Sequence, residues 1–201
     1  MTSSVALVAC AASFALALAA CGSDTSASSP STPSIAEVAT SISQTAAPAG
    51  GCPTTAATGG TPEWSLPGAT GSVAVTGSTD TTAPYVKVTA PFSVAETQVH
   101  TLRAGDGPVV ADTATVSVCY MGVNGRDGSV FDSSYERGTP AEFSLNGVVP
   151  GFQKAIAGQK VGSTVAVAMD SADGYPDGQP AAGIQKGDSL VFAIKILDAT
   201  S

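Results

Sequence analysis

From about Ser72 to the end of the chain, apolar and polar positions alternate in short runs broken by Gly, Asp and Pro turns. Antiparallel strands produce this pattern, because successive side chains of a strand point to opposite faces. It predicts early strands at Val73–Thr76 and Tyr85–Thr89, then at Thr97–Ala104 and Ala114–Met121. Two later strands follow, Ser163–Met169 with Val165, Val167 and Met169 on one face, and Ser189–Leu197 with Leu190, Phe192, Ile194 and Ile196 on one face. One segment, Pro150–Ala157, has a helical pattern instead. Pro150 suits the first helical position, Gly158 suits the C-terminal end, and Phe152 and Ile156 share a face. Several strands and one short helix predict an α+β domain with the helix packed on one sheet face.

The first sixty residues read differently. Val5–Ala20 is an uncharged, Ala-rich apolar run, shorter than the roughly 20 residues a spanning helix needs and suited to a signal-peptide core. It ends in Leu18-Ala19-Ala20-Cys21, which resembles the lipobox of bacterial lipoproteins. That resemblance implies diacylation of Cys21 and a lipid anchor on the outer face of the cell membrane. The leader lacks the usual positive charge, so an ordinary signal peptide stays open as the alternative. From Cys21 to about Pro62 the chain is Ser, Thr, Ala and Pro with a brief Ile35–Val38 interruption, a composition that cannot offset chain entropy by burial. A short helix over Ile35–Ile42 is the one regular element it could hold. The organisation expected is a signal peptide at 1–20, a disordered low-complexity tether at 21–62, an extension at 63–96 able to add strands, and a folded domain at 97–201.

Charge narrows the function. Acidic residues outnumber basic ones 16 to 8, and no Lys or Arg precedes Lys87. Nucleic-acid binding needs clustered cations, so it is excluded as a main role, as is electrostatic docking on anionic lipid. Of four cysteines, Cys10 lies in the leader and Cys21 is the lipid acceptor, leaving Cys52 and Cys119. An exported chain sits where disulfides persist. Cys119 faces away from Val116, Val118 and Tyr120, so a Cys52–Cys119 bond would pin the N-terminal segment across the back of the sheet and close a loop of about 68 residues. Two unpaired thiols are the alternative.

Conventional catalytic chemistry finds little support. His100 is the single histidine, and no Gly-x-Ser-x-Gly elbow accompanies any serine. Cys52 and Cys119 form no CxxC or zinc pattern, and Gly122–Gly128 lacks the Lys and helix of a phosphate loop. Asp170, Asp173, Asp177 and Asp188 fail the EF-hand spacing and read as solvated loop carboxylates. No cofactor or metal is expected. Catalysis would have to come from an apolar cavity and hydrogen bonds.

One constellation fits that description. Val118-Cys119-Tyr120-Met121-Gly122 is followed by Gly128-Ser129-Val130-Phe131-Asp132-Ser133-Ser134 and Arg137-Gly138-Thr139-Pro140. Then come Val148-Val149-Pro150-Gly151-Phe152 and, near the end, Leu190-Val191-Phe192. In order and spacing this resembles the FKBP-type peptidyl-prolyl cis–trans isomerases over roughly Thr97–Ala199. The resemblance implies a twisted antiparallel sheet curled around one short helix. It implies a pocket lined by Tyr120, Phe131, Asp132, Val148, Val149, Phe152, Tyr175, Ile184 and Phe192, with Phe152 as the floor where the family usually has Trp. Tyr175 would donate its hydroxyl to the carbonyl of the rotating amide, and the Val149 N–H would hold a substrate or inhibitor carbonyl. Asp132 would bond Tyr120, with Arg137 keeping the carboxylate charged; a plain surface ion pair is the alternative for Asp132 and Arg137, and core packing for Phe131 and Phe192.

Three departures bear on rate: Ala141 follows Pro140 where an aromatic is common, Phe152 stands where Trp is usual, and Gly174–Lys186 is short and polar. The partners implied are Pro-containing unfolded or exported polypeptides, with macrolides such as tacrolimus or rapamycin as competitors and the chain acting as a monomer. Three readings follow: a lipid-anchored isomerase, a catalytically weak module gripping Pro-containing segments of a partner, and a lipoprotein binding an unrelated small molecule.

Overall fold

The computed structural model describes residues 50–200. The leader, Cys10, Cys21 and the Ile35–Ile42 helix lie outside the described residues. Nine strands, two short α-helices and two 3₁₀ turns follow in order. A small sheet holds β1 (Trp64–Pro67), β2 (Thr70–Thr76) and β3 (Tyr85–Ser93) in sequential antiparallel order. A larger antiparallel sheet runs β4 (Gln98–Arg103), β8 (Thr164–Met169), β9 (Leu190–Thr200), β5 (Thr115–Asn124), β6 (Val130–Ser133), with β7 (Ala141–Ser144) on the same edge of β5 as β6. Between β6 and β7 lies a single helical turn, α1 (Ser134–Arg137), and α2 (Pro150–Ile156) follows β7.

The large sheet is buried on both faces. Toward α2 it points Val165, Val167 and Met169 from β8 and Leu190, Phe192, Ile194 and Ile196 from β9, against Phe152, Ala155 and Ile156. Toward the small sheet it points Ala166, Ala168, Val191 and Ala193, against Val73, Val75 and Phe92. The expectation of one packed face left this second core out. Its sequence signal is the apolar character of the alternate positions: a strand with one wet face would carry polar residues there, and these carry Ala and Val. The three alanines keep the second face flat enough for the small sheet to approach. The extension at 63–96 thus builds a sheet of its own rather than adding strands to the larger one.

The tether reading also meets a boundary inside its range. Residues 50–62 form no strand or helix, yet Cys52–Thr55 are held against the folded unit. Cys52 is buried and disulfide-bonded to Cys119, its N–H bonds the Gly138 carbonyl, and the Thr55 carbonyl accepts from Ala83. A covalent bond and a few backbone hydrogen bonds hold a segment whose composition alone would leave it free. In α2 the expected caps are present: Pro150 opens the helix, and Gly158 takes a left-handed φ of 79° just past its end.

Candidate functional site

The site is built on β5. Val116, Val118 and Tyr120 alternate onto the face covered by α2, while Cys119 points to the opposite side. Two residues on, Gly122 carries no side chain, and that is what the site requires. A Cβ there would lie 2.6 Å from the Phe131 ring and 2.8 Å from the Phe192 ring. The two rings therefore meet over bare backbone, 5.6 Å apart and perpendicular.

The edge beside β5 is split. β6 pairs with Met121–Val123 and β7 with Thr115–Val118, and α1 interrupts them. The interruption removes ladder partners from Tyr120, and Ser134 replaces them. Its hydroxyl accepts from the Tyr120 N–H at 2.8 Å and donates to the Tyr120 carbonyl at 3.3 Å. Ser133 caps the turn by accepting from the Glu136 N–H, and Gly138 closes it in the left-handed conformation. The turn brings Arg137 back over β5. Its guanidinium donates to Asp132 at 2.6 Å and to the Tyr120 hydroxyl at 3.1 Å, and the Tyr120 hydroxyl itself donates to Asp132 in a short hydrogen bond.

Electrostatics follow from these contacts. Burial and the hydrogen bond to Asp132 push the Tyr120 hydroxyl up to about 12, so it stays protonated and donating at neutral pH. Burial works to raise the Asp132 carboxyl, but the hydrogen bonds from Tyr120 and Arg137 outweigh it and hold the group below its ordinary value. The Asp132 and Arg137 side chains are 41% and 49% exposed, so water screens their attraction. Their contribution is chiefly to orient the Tyr120 ring.

Above this network lies a cavity of about 360 Å³ lined by Tyr120, Phe131, Asp132, Phe143, Gly147, Val148, Val149, Phe152, Tyr175 and Phe192. Phe152 lies edge-on to Tyr120, Phe143 and Phe192, with centroids 5.9, 5.6 and 5.4 Å away. Such perpendicular pairs set the positive edge of one ring against the negative face of another. The Tyr175 hydroxyl bonds no protein group among the described residues.

The structure therefore brings together eight of the nine pocket residues expected from the sequence. Ile184 is the exception: it is buried in the same core and bridged to Gln179, but it does not line the cavity. Arg137 acts from the rim through Asp132 and Tyr120. Phe143 and Gly147 were not expected. Phe143 occupies the wall near Ala141, and its sequence signal was the alternation Ala141-Glu142-Phe143-Ser144, too short to stand out by itself.

The remaining candidates disperse. His100 stacks on Trp64 at 5.6 Å, on exposed β4. Asp170 accepts from Thr97, Asp173 pairs with Lys154, Asp177 with Lys186, and Asp188 with Arg126 and Asn124. These four carboxylates each have their own partner and do not converge.

Residues 107–197 match the family model of FKBP-type peptidyl-prolyl cis-trans isomerases. The chain is 38% identical over 101 residues to the FKBP-type 22 kDa peptidyl-prolyl cis-trans isomerase of Escherichia coli, covering 50% of this chain and 48% of that protein. It thus spans about half the length of that relative. It is 34% identical over 106 residues to the FK506-binding protein of Streptomyces anulatus, covering 51% of this chain and 86% of that one. The solved structure of the N-terminal domain of FKBP42 from Arabidopsis thaliana shares the fold, with a TM-score of 0.50 at 14% identity over 53% of this chain and 88% of that chain.

Proposed function

Because the chain belongs to the FKBP-type peptidyl-prolyl cis-trans isomerase family, we propose that its cavity accelerates rotation about X-Pro peptide bonds. The observation that carries this reading is the ring-lined cavity, whose lining includes one phenolic hydroxyl, that of Tyr175, with no hydrogen-bond partner among the described residues. Rotation about an amide faces a barrier of about 18–20 kcal/mol because resonance must be broken. A twisted amide is less delocalised, and its carbonyl oxygen carries less charge. An apolar cavity disfavours the planar, charge-separated form relative to the twisted one, which lowers the barrier without a covalent step. Each 1.4 kcal/mol of such preference is worth about tenfold in rate.

In this reading Phe131, Phe152 and Phe192 take the prolyl ring, and Tyr120 is held in place by Asp132 and Arg137. Tyr175 donates to the carbonyl of the rotating bond, and the Val149 N–H holds a neighbouring carbonyl. The substrates are Pro-containing stretches of polypeptides folding outside the membrane, with the chain held there by lipid on Cys21. The lipobox-like run before Cys21 and the Cys52–Cys119 disulfide, a bond that persists in oxidising compartments, support an exported location. Palmitate labelling of the wild type that disappears in Cys21→Ala is the result expected.

The activity test is isomerisation of a short X-Pro peptide by the chain from Gly22 onward. We expect acceleration that rapamycin abolishes and that falls at least tenfold in Phe131→Ala, with a smaller loss in Tyr175→Phe. Ala141, where the family commonly has an aromatic, favours one alternative: a pocket that grips Pro-containing segments with little turnover. Rapamycin binding without acceleration would select that alternative, and neither binding nor acceleration would reject both.

A further inference from the structure

The back of β5 carries an assembly that the isomerase reading does not use. Cys119 follows Ser117 on the face away from the cavity, and its disulfide brings Cys52 beneath α1. The Cys52 N–H donates to the carbonyl of Gly138, the residue that ends α1 immediately after Arg137. The Cys52 sulfur lies 3.4 Å from the Ser134 hydroxyl, the group that fills the broken ladder at Tyr120. Thr54 packs against Gly138, where a Cβ would come within 3.2 Å of its methyl. Behind them Tyr135 is buried with Ala83 and donates to the Ser78 hydroxyl at 2.9 Å. Both ends of α1 are thereby braced from one side, Ser134 at its start and Gly138 at its end. The other side of the same turn presents Arg137 to Tyr120 and to Asp132 of β6.

A four-residue turn cannot hold itself. Helices this short do not repay the entropy of nucleation, so the conformation of α1 has to come from contacts outside it. The strap at residues 52–55 is one such contact, tied covalently to the residue next to Tyr120.

We propose that the Cys52–Cys119 bond and Ser134 are positioning residues of the site, holding α1 so that Arg137 converges with Asp132 of β6 on the Tyr120 hydroxyl. The proposal rests on the isomerase reading for its consequence in catalysis, and on the geometry alone for the convergence. The groups facing Asp132 are the Tyr120 hydroxyl from β5, the Arg137 guanidinium from α1 and the Ser133 N–H. Loosening α1 withdraws the Arg137 guanidinium, so the carboxyl should move up toward its ordinary value.

The experiment is a carbon NMR titration of the Asp132 carboxyl in the full chain and in Cys52→Ser/Cys119→Ser, together with kcat/KM on the X-Pro peptide. Ser134→Ala carries the same readout if the double variant fails to fold. Phe92→Ala, which destabilises the distant core between the sheets, controls for loss of stability as such. The expected result is an upward move of the Asp132 titration and about a tenfold fall in kcat/KM in the strap variants, with the titration unmoved in Phe92→Ala. An unmoved titration in the strap variants overturns the proposal, and so does an equal move in Phe92→Ala. A wild-type chain without isomerase activity defeats the isomerase reading instead, and the titration still decides the positioning.

Discussion

Gly122 and Asp132 show how single residues set this site by opposite means. Gly122 acts through what it lacks. Adding one methyl would force it between the Phe131 and Phe192 rings, at 2.6 and 2.8 Å, where no flexible chain end is available to move aside. We expect Gly122→Ala to lower kcat/KM tenfold or more and to cost about 1–3 kcal/mol by overpacking, read by peptide isomerisation and urea denaturation. Asp132 acts through charge. Its folded carboxyl lies below the unfolded value, so its stabilisation is present above the unfolded value and is lost as pH falls through the folded one. Wild type should exceed Asp132→Asn by no more than about 1 kcal/mol at pH 7, given the exposure of the pair, and thermal melts near pH 2 should bring the two together. With Tyr120 up at about 12, the network keeps one protonation state through the neutral range, and activity should be flat there.

Among the elements, the split edge strand and the 170–189 loop are the pieces that aim the site. The sequence made β5, β8, β9 and α2 legible because each is long enough, or capped well enough, for its period to show. It left β1, β6 and β7 unread, since four residues display at most two turns of a period-two pattern. α1 was hidden for the same reason, and with it the return of Arg137 over Tyr120. The loop that carries Tyr175 is anchored by Asp188, whose side chain is only 7% exposed. That carboxylate accepts from Asn124 at 2.8 Å, from the Gln185 N–H at 2.8 Å and from Arg126 at 3.3 Å, while Arg126 also reaches the Gly183 carbonyl. Burial works to raise this carboxyl, but these donors together hold it below its ordinary value. Asp188→Ala leaves buried donors without an acceptor, which should cost about 2–3 kcal/mol. It should also raise KM for the peptide more than it lowers kcat, because the loop bearing Tyr175 loses its anchor.

At the scale of the whole described unit, one sheet separates two cores of different purpose. The core toward α2 supplies the rings of the cavity, and the core toward the small sheet supplies none of them. Phe92 is the main ring of that second core, at 2% exposure. Its truncation to Ala should cost about 3–5 kcal/mol while leaving kcat/KM of the folded protein within about twofold at low temperature. Denaturation monitored at Trp64 on β1, run beside the peptide assay, checks both halves of that expectation.

What the sequence determined alone was the local and periodic content: strands from alternation, α2 from its caps, the family from motifs spaced along β5, β6, α2 and β9, and the eight cavity-lining residues that the family resemblance named. These are properties of neighbours along the chain, and period or spacing suffices to read them. Only the tertiary structure decided that the extension forms its own sheet, that Ile184 stays behind the wall while Phe143 joins it, and that residues 52–55 are strapped beneath α1. Each of those outcomes depends on which distant segment covers a given face. Burial is a free-energy term between segments far apart in sequence, and a single strand's pattern carries only its own half of the contact.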